Sequence, residues 1–265
     1  MQIRDKVFIV TGAGNGIGRE VALQILENGG HVALVDIDKE GLKKTYDLAK
    51  KFKTNKISLH QVDITKLEQV ESLKNEVIKI HGDVDGLMNI AGIIQPFQKL
   101  IDLDYQKIYQ VMNVNFYGTL YMIKTFLPLL IIRPCAHITN ISSMGSFIPV
   151  PGQTIYGATK AAVDQLTIGL RTELKNTNVN VTLISPGAVA TEIAKNSKAI
   201  NLTSTTHNKN PKIKSISPKK AAKLIVNATL NNKHHVKIGN DAKFMYYLSR
   251  FVPNYALKII YKKLS

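Results

Sequence analysis

What most constrains this chain is an alternation: short apolar runs, each followed by a stretch with helical spacing, repeated from residue 6 to residue 238. Residues 6–11, 31–36, 57–62, 86–90, 137–142, 179–185 and 235–238 read as strands, and residues 16–28, 39–53, 67–80, 105 to about 130, 154 to about 175 and 218–230 as helices between them. The strands are apolar at consecutive positions, so both faces of their sheet are to be covered. Strand and helix in alternation imply a parallel sheet with helices on both sides, a doubly wound α/β fold. At 265 residues the chain is long enough for one such domain with a large core. Residues 1–239 form the expected domain, within which 192–217, rich in Asn, Lys, Ser and Thr, is a mobile loop over the substrate. Residues 240–265 read as an amphipathic helical C-terminal extension of that domain.

Thr11-Gly12-Ala13-Gly14-Asn15-Gly16-Ile17-Gly18 falls between the first strand and the first helix. Glycines there let the backbone turn sharply and approach a pyrophosphate, whose charge sits at the helix N-terminus. The spacing is Gly-x-x-x-Gly-x-Gly, not Gly-x-Gly-x-x-Gly. Asp36 closes the second strand, where a carboxylate accepts hydrogen bonds from the ribose hydroxyls and repels a 2′-phosphate. Neither Asn15 nor Ile37 offers such a phosphate a cation, and Arg19 is the nearest. NAD is therefore expected over NADP. Asp36 can instead be a turn or cap residue, although Asp38 fits that role better. Asp63 closes the third strand, ahead of Ile64, and is either an adenine contact or a cap.

Tyr156 and Lys160 stand four apart, on one face of the helix from 154. A free phenol, with a pKa of about 10, is too weak a base near neutrality. A lysine charge, together with the positive ring of an oxidised nicotinamide, would lower that value and let Tyr156 exchange a proton with an alcohol or carbonyl. Ser143 ends the fifth strand at the sheet edge where such folds bind ligands. Ser142 competes for its place, and a strand-end serine can also simply cap a turn.

Thr11–Gly18, Asp63, Asn89-Ile90-Ala91-Gly92, Asn115, Ser143, Tyr156 with Lys160, and Pro186-Gly187 occur in that order. Together they resemble the successive signatures of the short-chain dehydrogenase/reductase family. The resemblance implies a Rossmann-type sheet, assembly into a homodimer or homotetramer through the helices flanking the fifth strand, and four catalytic residues: Asn115, Ser143, Tyr156 and Lys160. Ser143 would polarise the substrate oxygen and Tyr156 would be the acid/base. Lys160 would bind the nicotinamide ribose, and Asn115, matched in preference to Asn113, would hold a water. The implied cofactor contacts are Gly12, Asn15, Gly16, Ile17, Gly18, Asp36, Ile37, Asp63, Ile64, Asn89, Ala91, Gly92, Tyr156, Lys160, Pro186, Gly187, Val189 and Thr191. Ile90 departs from the family pattern, which often has a second Asn there, so Asn89 alone is expected to bond the central strands.

Ile93, Gln95, Phe97, Met144, Phe147, Gln153, Val189 and Ile193 are the expected substrate lining; mostly apolar, they point to a small lipophilic alcohol or ketone. A 3-oxoacyl carrier-protein reductase is the alternative enzyme, and a non-catalytic NAD-binding regulator the alternative of another class. One cysteine, Cys135, excludes an intrachain disulfide, and no metal site is expected. No signal segment is expected ahead of the first strand, nor an unbroken apolar run of membrane-spanning length, and the expected setting is cytoplasmic, with peripheral membrane contact as a variant. The net charge of +16 is concentrated: residues 192–265 hold 15 Lys/Arg and two acidic residues, Glu192 and Asp241, leaving 20 and 17 for the rest. No nucleic-acid motif accompanies that charge, so no specific nucleic-acid partner is expected. In the extension, Phe244, Leu248 and Phe251 read as one stripe, and Leu257, Ile260, Tyr261 and Leu264 as another, with Lys258, Lys262 and Lys263 off it. A packed hairpin, a lid over the substrate and an interfacial helix on an anionic membrane all fit that pattern. The tail resembles that of extended steroid- and retinol-type family members, which implies lipophilic substrates.

Overall fold

The computed structural model describes residues 2–52, 56–191, 193–197 and 215–264. Its strands β1 (Val7–Thr11), β2 (His31–Asp36), β3 (Ile57–Gln61), β4 (Gly86–Asn89), β5 (Ala136–Ile141), β6 (Val179–Pro186) and β7 (His235–Ile238) make one sheet in the order β3-β2-β1-β4-β5-β6-β7. Every pairing is parallel. This is the doubly wound Rossmann-type architecture. Helices α1 (Gly16–Glu27), α2 (Lys39–Ala49), α3 (Leu67–His81), α4 (Tyr105–Met112), α5 (Thr119–Ile131), α6 (Thr154–Glu173), α7 (Ile193–Asn196), α8 (Pro218–Leu230), α9 (Asn240–Phe251) and α10 (Pro253–Leu264) follow in chain order. Of the loop expected at 192–217, residues 192 and 198–214 lie outside the described residues.

The central strands β1, β4 and β5 are buried at every position, so alternate side chains feed two cores. On one face Phe8, Val10, Leu34 and Met88 meet Val21, Ile25, Ala221 and Ile225 of α1 and α8. On the other, Ile9, Val35, Leu87 and Ile138 meet Leu73, Val77, Phe126 and Leu130 of α3 and α5. The helical rod 105–131, continuous through a π turn at Asn113–Gly118, is long and apolar enough by length and composition to cross a membrane, although polar residues such as Lys107, Asn113 and Lys124 interrupt its apolar runs. Its apolar side is used on the sheet: Met122, Ile123, Phe126 and Leu130 are all buried there.

Edge strand β3 departs from the expected two-faced apolar pattern. Its buried positions are Ser58 and His60, while Leu59 is exposed. Hydrogen bonds replace apolar packing on the inner side. His60 Nδ1 lies 2.8 Å from Glu76 Oε2, and Ser58 Oγ is 2.8 Å from both His60 Nε2 and His81 Nε2. When His60 Nδ1 donates to the Glu76 carboxylate, the single Ser58 proton can go to His60 Nε2 while Ser58 Oγ accepts from His81.

The C-terminal stripes also divide differently. Phe244 and Phe251 face outward, whereas Ala242 and Met245 are buried, with Leu248 partly so. In α10 the buried residues are Ala256 and Ile260, and Leu257 and Tyr261 are exposed. Alanines at 242 and 256 allow close approach, and Met245 and Ile260 then reach Ile148, with Met144 and Phe147 packed alongside. The Leu264 side chain lies outside the described residues. The extension is therefore a helical pair seated on the segment just after Ser143.

Burial and the neighbouring His60 push His81 down to about 4. A histidine with a depressed folded pKa gives its full stability above the unfolded value, near 6.5, and loses it as pH falls toward the folded one. Denaturant midpoints measured from pH 7 to pH 4 should fall steadily below 6.5. In His81→Gln the acid loss should be smaller by about 1 kcal/mol, a figure reduced for the residue's partial exposure.

Candidate active site

Strand order reverses between β1 and β4, and the crevice at their carboxyl ends is where doubly wound folds bind ligands. Thr11 fastens it. Its hydroxyl accepts from Ile90 N at 2.9 Å and Ala91 N at 3.1 Å. Gly12 has φ +69°, and a Cβ there would lie 3.0 Å from the Ala91 backbone; a Cβ at Gly18 would strike the Gly12 carbonyl. The turn is thus a stack of bare backbone at the start of α1, with Asn15 and Ile17 beside Gly16 at the helix entry. Thr191 stands over it, its Cγ2 3.6 Å from a Cβ placed on Gly16. The cradle suits a pyrophosphate, since side chains are excluded and the helix N-terminus faces it.

Asp36 reaches across this turn. Its Oδ2 accepts from Gly14 N at 2.8 Å and its Oδ1 from Asp38 N at 2.9 Å, while burial pushes its carboxyl above the usual range. Ile37 beside it is exposed. Asp38 occupies the N-cap position of α2, as its place in the sequence suggests, without a side-chain capping bond. Arg19 does not project into the crevice. It bonds Thr45 Oγ1 at 2.9 Å and the Gly14 carbonyl, beneath the glycine turn. Asp63 Oδ1 accepts from both the N and Oγ1 of Thr65, so it forms a local turn, and Ile64 packs on Gly118.

The strand-end residues divide the remaining work. Asn89 donates to Asn140 Oδ1 at 2.8 Å, and Asn140 in turn donates to Thr167, tying β4, β5 and α6 together. Asn140 was not singled out in the sequence because it sits within an apolar run. Ser142 is buried and donates to the Lys160 carbonyl at 3.1 Å, whereas Ser143 is partly exposed at the edge. Ser143 Oγ accepts from Gly145 N at 3.0 Å, capping the following turn, and also hydrogen-bonds Tyr156. A Cβ built on Gly145 would sit 3.5 Å from both Ser143 Oγ and Tyr156 Cε1, so a glycine keeps this corner open.

Asn115 is wholly buried and Asn113 exposed. The π turn brings the Asn115 amide against the loop after β4, where it accepts from Ile93 N and donates to Ile93 O, both at 2.9 Å. It also donates to Thr159 at 3.0 Å, next to Lys160. Both Asn115 Oδ1 and Lys160 Nζ lie 3.2 Å from a Cβ placed on Gly92. Lys160 Nζ donates to the Ile141 carbonyl at 2.9 Å and lies 6.0 Å from the Tyr156 ring centre. Burial drives the ammonium down to about 8, opposed by Asp164 one turn further along α6. Asp164, whose Oδ2 accepts from Ser146 Oγ at 2.6 Å, is itself raised by burial. The sequence signal for it was the four-residue step from Lys160.

The phenol of Tyr156 is pushed up by burial, with Ser143 opposing. The Lys160 ammonium is committed to a strand carbonyl, and the lowering expected of it also counts the charge of a bound oxidised nicotinamide. Pro186 ends β6, and Gly187 N bonds Ile238 O at 2.8 Å. Asp241 Oδ2 accepts from Ala188 N at 2.8 Å, and Val189 bridges to Ile216, holding 186–191 along the crevice.

Two expected lining residues prove structural. Gln95 is fully buried, and its Oε1 accepts from Ile155 N at 2.8 Å and Tyr156 N at 3.0 Å. Its Nε2 donates to Gly152 O, and Gln153 Nε2 donates back to the Gln95 carbonyl. Gln95 is thus the cap of α6, which its own N-cap residue, Gln153, does not supply. Of the others, Ile93, Met144, Phe147, Val189 and Ile193 are partly exposed and Phe97 is exposed.

The chain matches the family model for short chain dehydrogenases over residues 6–201. It is 34% identical over 253 residues to a putative oxidoreductase, SadH, of Mycobacterium tuberculosis, covering 93% of this chain and 91% of that protein. Among solved structures it is similar to a short-chain dehydrogenase/reductase from Burkholderia phymatum in complex with NAD, with a TM-score of 0.84, 24% identity and 96% of each chain covered. It is likewise similar to a short-chain dehydrogenase from Burkholderia cenocepacia J2315 in complex with NADP, with a TM-score of 0.82, 25% identity and 98% and 99% covered. The chain belongs to the short-chain dehydrogenase/reductase family of oxidoreductases, whose cofactor is a nicotinamide dinucleotide.

Gln95→Leu should lower stability by about 2 kcal/mol, because it strips two helix donors of their acceptor inside the protein. Amide exchange at Ile155 and Tyr156 should accelerate. Gln95→Glu, which keeps the acceptor beside a helix N-terminus, should restore much of that protection.

Proposed function

We propose that the protein is an NAD-dependent dehydrogenase or ketone reductase acting on a small lipophilic secondary alcohol or ketone, with Tyr156 as the acid/base. The reading is carried by one observation: the partly exposed Tyr156 side chain lies against the Ser143 hydroxyl at the open corner of the crevice, with the buried Lys160 ammonium behind it. The nicotinamide ring, when bound, supplies or accepts the hydride. Ser143 donates to the substrate oxygen, and Tyr156 delivers its proton to that oxygen in reduction or receives it in oxidation. Lys160 supports the phenolate and holds the ribose, and Asn115 fixes the loop and the helix that carry them.

The preference for NAD rests on Asp36 and Arg19. The carboxylate is held at the rim by two backbone donors, leaving lone pairs for ribose hydroxyls, while the nearest cation is tied under the turn. Wild-type protein should show a higher kcat/KM with NAD(H) than with NADP(H). Asp36→Ser should cost roughly tenfold or more with NAD(H), the scale of hydrogen bonds to a charged acceptor, and raise relative use of NADP(H). Faster turnover with NADP(H) in the wild type would reverse the assignment.

A lipophilic substrate is supported by Ile93, Met144, Phe147 and Val189 around the corner. The basic last quarter favours the second enzyme reading, a reductase of 3-oxoacyl thioesters on an acidic carrier. A screen of steroids, retinoids, fatty alcohols and 3-oxoacyl thioesters with both cofactors separates the two. Tyr156→Phe should lower turnover by about 10²–10⁴-fold while leaving NADH binding nearly unchanged. Tight NADH binding without turnover of any of these compounds would instead favour a non-catalytic regulator. Family membership also leads us to expect a homodimer or homotetramer.

A further inference from the structure

We propose that the outer face of α9 and α10 is a docking surface for an anionic lipid bilayer. Phe244, Tyr247 and Phe251 stand at i, i+3 and i+7, on the side of α9 opposite the buried Ala242 and Met245, and they are 57%, 60% and 81% exposed. Val252 and Tyr255 continue the exposed surface across the corner into α10, and Leu257 follows. Large aromatic and aliphatic side chains, presented outward in sequence along both helices, are what an interfacial helix inserts below the headgroups.

Charge selects the occupant. After Asp241 the sequence holds no acidic residue, and Lys243, Arg250, Lys258, Lys262 and Lys263 are all basic. Lys243 and Arg250 are exposed at the flank of the α9 stripe, and Lys258 and Lys262 are exposed on α10. A second copy of the same face would bring the four exposed positive charges of Lys243, Arg250, Lys258 and Lys262 against four, a repulsive pairing for a self-complementary contact. An anionic bilayer supplies both the apolar depth for the aromatic residues and the counter-charge for the lysines. The inner faces of these helices pack on Ile148, Met144 and Phe147 immediately after Ser143. The docked face would therefore lie one helix layer, roughly 10 Å, from the wall of the catalytic corner.

The test uses the full chain, sedimented with vesicles of phosphatidylcholine alone or mixed with phosphatidylglycerol. Partition is expected onto the mixed vesicles and little onto the neutral ones. Phe244→Ser with Phe251→Ser should reduce it roughly tenfold or more, and Lys258→Gln with Lys262→Gln about twenty-five-fold, at about fivefold per basic residue. NADH binding, measured in parallel, should be unaltered and reports the fold; should the Phe pair lose it, Tyr247→Ser with Val252→Ser takes its place on the same surface. No partition onto the mixed vesicles overturns the proposal in favour of a protein partner. Partition insensitive to the aromatic substitutions overturns it in favour of charge-only adsorption, and dissociation of an oligomer by those substitutions with partition unchanged marks the stripe as a subunit contact.

Discussion

The architecture of the site hangs on the Thr11 hydroxyl. Where the strand order reverses, β1 and β4 diverge, and two amides of the departing β4 chain lack a strand partner. Thr11 accepts both. That one oxygen sets the depth of the Ala91 backbone under Gly12, and so the shape of the glycine cradle and the start of α1. It also fixes the loop that carries Ile93 to Asn115 and Gln95 to α6. Each polar contact inside the sheet edge is of modest net worth, but an unpaired amide there would cost about 1–3 kcal/mol. The clustering of contacts on Thr11 therefore does more than its count suggests.

A second dependence is electrostatic. Tyr156, Lys160 and Asp164 are three ionisable groups on one helix face, Lys160 buried and the others partly so, and desolvation disfavours the charged form of each. The chain offsets this with local dipoles: a strand carbonyl for the lysine, and the hydroxyls of Ser142, Ser146 and Ser143 for the carboxylate and phenol. The resulting site is poised and not strongly charged, so a bound group that carries charge has large leverage over which proton is held where.

Much of this was legible in the sequence, and the reasons are local. Strand positions follow from short, predominantly apolar runs, since a strand covered on both faces admits a polar side chain only where a partner waits for it, as Asn140 waits for Asn89. The glycine turn and Tyr156 with Lys160 follow because backbone approach and helix spacing are encoded within a few residues. What escaped depends on contacts distant in sequence. Nothing near Gln95 indicates that it meets Ile155, and nothing near Arg19 that it meets Thr45. Ser58 and His60 mislead for a related reason: a hydrogen-bonded inner face inverts the hydropathy of β3. The C-terminal helices show the same limit, because amphipathic spacing gives a face but small residues such as Ala242 and Ala256 decide which face packs.

The cap of α6 has a further consequence for how such a protein can change. Loops at a sheet edge are usually treated as interchangeable modules, free to be lengthened or replaced while the framework stays still. Here the loop after β4 supplies, through Gln95, the acceptor on which the first turn of the tyrosine-bearing helix ends. An insertion between Gly92 and Gln95 would therefore reposition Tyr156, the proposed proton donor, as well as reshape the wall beside it. Exchange of substrate at this corner is coupled to the placement of Tyr156, and variation that preserves turnover should accumulate beyond residue 95, not before it.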